Sequence, residues 1–227
     1  MSAFPRHVRA LVWKDLLAEL RSRELVLASV VFALLVLVIF SLAFDLRVDN
    51  AASVAPGVLW VTFTFAGVLS LGRSFARERD RGTLEGLLLA PMDRSALYLA
   101  KMTVNVGQML VVELVALPVA MALFDLQVDL PRLVLALVLG TIGVAGVGTL
   151  FGAMAAHTRA RELLLPLLLF PIQMPVVLAT VKSTAAAIYL DSVPANDSAN
   201  WLGLLIAFDG LFLGLSVLLF DVVLEQE

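Results

Sequence analysis

Long apolar runs separated by short charged stretches set the rhythm of this chain. Six of them approach the roughly 20 residues that cross a bilayer core: 25–44, 54–72, 102–124, 133–156, 163–181 and 201–222. Each predicts a transmembrane helix. Ahead of the first run the period becomes that of a surface helix. Val12, Trp13, Leu16, Leu17 and Leu20 fall on one face, and Lys14, Asp15 and Glu19 fall elsewhere. Residues 1–24 are therefore expected to hold an amphipathic helix lying in the membrane interface, with Trp13 at headgroup depth. The plainer alternative is a basic lead-in that only orients the first span.

Between the second and third runs stands "RERDRGTLEGLLLAPMDRSALYLAK", Arg77 to Lys101. Asp80 or Thr83 suits the cap of a short helix, with Glu85 near its positive end. Leu84, Leu87 and Leu88 share a face. Pro91 stops that helix by pushing Ala90 out of the helical region. Asp93 has the place of an N-cap for a second helix leading through Leu97 and Lys101 into the third span. A helix this short is marginal alone and needs a cover for its apolar face, supplied by the membrane or by a partner protein.

Composition agrees with the pattern. The chain has 227 residues, 61% hydrophobic and 15% charged, with a mean hydropathy of +0.98. Soluble domains carry about a quarter charged residues, so the class is an all-α integral membrane protein of one domain, residues 1–227. No cysteine is present, which excludes disulfides and thiolate metal sites. The net charge of −3 matters less than where the basic residues fall. Of the 16 lysines and arginines, only Arg47, Arg132 and Lys182 fall on one side of the spans. The rest lie in the N-terminal segment, in 73–101, and at Arg159 and Arg161. The positive-inside rule then places both termini and the 73–101 loop in the cytoplasm. The first span is read as permanent, since its apolar run is too long for a signal peptide and no small-residue cleavage site follows.

No P-loop and no H-E-x-x-H motif occurs, so this chain does not bind ATP through a P-loop. His7 and His157 are chemically able to ligate haem iron but read better as interfacial polar residues. Gly148 and Gly152 make a G-x-x-x-G in the glycine-rich fourth span, suited to close helix packing within the chain or between copies. Pro166, Pro171 and Pro175 predict a kinked or broken fifth span, with Gln173 placed to satisfy freed carbonyls. Glu113 falls near the membrane midplane and Asp209 in the outer half. An intramembrane acid is a functional candidate by default, against the alternative of a partnered carboxyl that fixes packing.

Three stretches carry a family resemblance: "RGTLEGLLLAPMDRSALYLAK", "APGVLWV" at Ala55–Val61, and "LLLFPIQMPVVL" at Leu167–Leu178. The first resembles the cytoplasmic coupling helix of ABC-2-type permeases. With six spans and this length, the whole chain resembles the CcmB family of haem exporter proteins in cytochrome c maturation. The resemblance implies a bacterial inner-membrane permease subunit, present in two copies, without a catalytic, metal or cofactor site of its own. ATP is hydrolysed in a CcmA-like P-loop ATPase. CcmC-like and CcmD-like membrane partners and a CcmE-like periplasmic chaperone handle haem, and no nucleic acid is involved. On this resemblance Asp80, Gly82, Thr83, Leu84, Glu85, Leu87, Leu88 and Pro91 dock on the ATPase. From the prolines alone, the bent segment with Pro171, Gln173 and Pro175 is a candidate hinge or pathway lining, or merely fits its neighbours. Three alternatives stay open at this point. One is an ABC-2 permease exporting a lipid, glycan or drug. The second is an intramembrane enzyme or proton-coupled transporter using Glu113 and Asp209. The third is a structural assembly protein.

Overall fold

The computed structural model describes residues 3–45, 51–80, 82, 83, 86, 92–156, 161–188 and 195–225. Among these residues it has seven α-helices and no strand. They are α1 (Ala3–Ser22), α2 (Glu24–Asp45), α3 (Ala55–Asp80), α4 (Arg94–Leu123), α5 (Leu130–Ala156), α6 (Arg161–Ile188) and α7 (Ala195–Glu225). A short 3-10 turn, Ala51–Val54, precedes α3. Helices α2 to α7 each contain a segment long and apolar enough to cross a membrane. The protein is an all-α, multi-pass membrane protein.

Helix boundaries move outward from the apolar runs. α3 continues past Gly72 to Asp80, and α4 begins at Arg94. The charged residues on either side of 81–93 therefore prolong spanning helices, and the connection is shorter than the 73–101 loop predicted. Asp93 caps α4 as expected: its Oδ1 accepts from the Ser95 amide at 2.9 Å and from Ser95 Oγ at 2.5 Å. The expected break in the fifth span does not occur, because α6 is helical from Arg161 to Ile188 with all three prolines inside. Pro171 is exposed and Pro166 and Pro175 half-buried. A spanning helix absorbs such a lost bond because the ladder on either side holds.

α5 is the hub, packing against α3, α4, α6 and α7. Its glycines are the reason. A Cβ on Gly140 would collide with Trp60 of α3 and Thr180 of α6. One on Gly148 would collide with the Leu71 side chain, and one on Gly152 would come within 3.3 Å of the Leu71 carbonyl oxygen. The G-x-x-x-G pair thus serves α3 of the same chain. The sequence of contacts fixes direction. Trp60 meets Gly140 and Leu71 meets Gly148, so α3 runs parallel to α5. Glu113 meets Thr141 and Asn105 meets Thr149, so α4 runs antiparallel. Successive spans alternate in sense. Trp60 donates its indole N–H to Thr184 Oγ1 at 2.8 Å, pinning α3 to α6 where an unpaired buried donor would be costly.

Candidate coupling site at the base of the 81–93 connection

The connection between α3 and α4 begins and ends on charged groups that meet beneath it. Glu78, in the last turn of α3, and Lys101, in the third turn of α4, lie 2.9 Å apart as an ion pair. α1 completes the cluster from the other side. Asp15 Oδ2 is 2.9 Å from Lys101 Nζ, and Lys14 Nζ is 2.5 Å from Glu78 Oε1 and 3.2 Å from Asp15 Oδ1. Two cations and two carboxylates from three helices form one closed ring of contacts. The Lys101 side chain is only 3% exposed and sits 5.5 Å from the Phe75 ring centroid, a cation–π distance. A buried cation is tolerable only when paired in this way. Burial works to lower the Lys14 pKa, but the hydrogen bond and charge of Glu78, then those of Asp15, outweigh it. The ammonium stands above its ordinary 10.5.

An apolar core supports the ring. Leu11 of α1, Phe75, Leu97, Tyr98, Leu150 and Phe220 are buried together, with Val8 and Val12 against them. Val12 therefore belongs to the inner side of α1 and not to the outer apolar face expected from the sequence. Tyr98 donates its hydroxyl to the Gly146 carbonyl at 3.0 Å, and Arg94 Nη1 donates to the Asp221 carbonyl near the end of α7 at 3.2 Å. A guanidinium suits a helix C-terminus, where carbonyls lack partners. The two ends of the connection are thus fastened to α1 and α7.

Of the docking residues, Thr83 closes the end of α3, its hydroxyl donating to the Glu78 carbonyl at 3.1 Å. Gly82 is exposed with φ +65, a left-handed turn that glycine adopts without strain. Asp80 is the last residue of α3. Leu84, Glu85, Leu87, Leu88 and Pro91 lie outside the described residues, as does His157. His7 is half-buried in α1. The ring itself was invisible to sequence reading, which placed Lys14 and Asp15 on an unassigned polar face and passed over Glu78. A basic residue at an α4 position that faces inward was the available signal.

A second polar group gathers halfway along α5. Glu113 of α4, 3% exposed, accepts from Thr141 Oγ1 at 2.5 Å. Asp209 of α7, 5% exposed, lies against Gly143, where no side chain would fit beside it and Val176. Gln173 of α6 donates Nε2 to the Val144 carbonyl at 2.8 Å, so its amide crosses to α5 and does not serve its own helix. Residues 141 to 144 span about 5 Å of helix axis. Glu113 and Asp209 therefore sit at one level of the bundle, and not at the two different depths expected from the sequence. The reason is the length of α7, which starts at Ala195 and lowers the middle of the helix toward Asp209. Glu113 Oε2, Gln173 Oε1 and both Asp209 oxygens have no hydrogen-bond partner among the described residues. Among those residues no group of three or more metal-ligating side chains occurs.

The family model described as "CcmB protein" matches residues 6–222. The heme exporter protein B of Pseudomonas aeruginosa is 30% identical over 182 residues, covering 78% of this chain and 79% of that protein. The protein of the same name from Haemophilus influenzae is 28% identical over 178 residues, 78% and 80% of the two chains. That from Rhodobacter capsulatus is 29% identical over 179 residues, 75% and 79%.

Proposed function

The chain belongs to the CcmB protein family, and from that premise we propose that it is the membrane permease component of an ABC-type haem-export complex in cytochrome c maturation. In this reading it sits in a bacterial inner membrane with both termini cytoplasmic. A CcmA-like ATPase grips the 81–93 connection, and CcmC-, CcmD- and CcmE-like partners receive or release haem on the far side. The observation that carries the coupling step is the closed ring of Lys14, Asp15, Glu78 and Lys101. It fastens both ends of the connection to α1, so a push on the connection has no loose joint in which to dissipate. α4, zipped to α5 through Asn105–Thr149 and Glu113–Thr141, carries displacement toward the bundle centre. Coupling of this kind requires two arrangements of the ring that ATP binding biases.

Purification in mild detergent with its operon partners tests the reading. A P-loop ATPase and a haem-handling membrane protein are expected to co-purify. Leu87→Asp and Glu85→Lys are expected to insert normally while losing the ATPase and its stimulation. Normal co-purification of those variants would sink the docking assignment, and recovery of lipid- or glycan-exporting partners would replace haem as the cargo. A second reading, proton-linked transport, draws on the two acids sharing one level. Retained cytochrome c maturation in Glu113→Gln/Asp209→Asn removes it.

A further inference from the structure

We propose that α1 is a sensor face for anionic phospholipid, binding the headgroup layer through arginines while its own acids are withdrawn into the protein. At 100° per residue, the exposed outer side of α1 occupies an arc of about 140°. Its apolar part is Trp13, Leu16, Leu17 and Leu20, with Trp13 64% and Leu20 63% exposed. Its charged part is Arg6, Arg9 and Arg21, all exposed on that same arc. An ordinary surface helix mixes signs on its outer face. Here Asp15 lies inside the ion ring, and Glu19, 8% exposed, faces inward on the same side. Lys14, at the margin, is matched by Asp15 and Glu78. The first exposed acid, Glu24, lies beyond the helix and follows exposed Arg23. The charges exposed on the outer arc of α1 are therefore all positive.

Position selects the occupant. Only Arg23 separates α1 from the first spanning helix. The apolar end of α1 at Leu20 therefore lies at the mouth of the hydrocarbon, with exposed Leu27 of α2 just beyond. An apolar strip at that depth, flanked by arginines, matches a bilayer surface bearing negative headgroups. This inference rests on the membrane-spanning fold alone, so it stands or falls independently of the ATPase and haem assignments.

The absence of native cysteine allows a single reporter. Leu17→Cys in the full chain, carrying a nitroxide, is reconstituted at low density in phosphatidylcholine vesicles and in phosphatidylcholine with phosphatidylglycerol. Depth is read from collisions with oxygen and with a water-soluble nickel chelate. The label is expected to lie deeper with phosphatidylglycerol, and to rise as salt is added. Each arginine changed to glutamine among Arg6, Arg9 and Arg21 is expected to lower the docked-to-lifted ratio about fivefold. Arg→Lys variants are expected to keep it. Equal depth in both vesicles overturns the proposal. So does shielding of the label from both reagents, which identifies a second copy covering the face.

Discussion

Lys101 is where a single atom matters most. Its ammonium answers two carboxylates at 2.9 Å with 3% of the side chain exposed. Lys101→Met removes the buried cation and leaves Asp15 and Glu78 with half-exposed Lys14 as the ring's remaining cation, and is expected to cost about 3–5 kcal/mol. Lys14→Met is expected to cost about 1 kcal/mol or less, because Lys14 is half-exposed and water screens its charge. Thermal denaturation of the two variants in one detergent checks the ranking; equal losses would mean that the ring does not act through its buried member. The pH dependence follows from Lys14, whose folded pKa is raised. The stability it contributes is fully present below about 10.5 and is lost as pH rises through the folded value. Attachment of α1 should thus be unchanged from neutral pH to about pH 10 and weaken only above it, read from the mobility of a label on α1.

At the scale of the helix, the glycines separate by what lies opposite them. Gly152→Ala meets a backbone oxygen of Leu71, which cannot rotate away, and is expected to destabilise by about 1–3 kcal/mol. Gly210→Ala on α7 meets open space and is expected to be neutral or to stabilise by up to about 1 kcal/mol. A detergent melting series distinguishes them. The glycines were legible in the sequence, and so were the six spans, the existence of α1 and the Asp93 cap, because each depends on neighbours in the chain. Their partners were not. That Gly148 receives Leu71, or that Glu113 and Asp209 share a level, depends on how helices from distant parts of the chain slide past one another. The polar side of α1 was equally open in the sequence, because Asp15 turns inward to meet Lys101 of α4 and Glu19 is buried on the same side.

Across the whole molecule, parallel contacts of α3 and α7 with α5 and antiparallel contacts of α4 require the α1 end and the Asp129 end to lie on opposite membrane faces. Single cysteines at Gly82 and Arg132, both exposed, are expected to be labelled by an impermeant reagent from opposite sides, with Gly82 reached from the cytoplasm. Labelling of both from one side would refute the alternation. The joint at Arg23 has a consequence of its own. With φ of 50, it is a single left-handed residue linking two continuous helices, and its amide still bonds to the Glu19 carbonyl at 2.8 Å. α1 and α2 are therefore geared in phase, with no slack to absorb a change of register. One residue inserted at this joint would turn α1 by about 100° against its anchor. The arginine arc would swing off the membrane surface and the aspartate would leave the ring, although every residue of both helices remained the same.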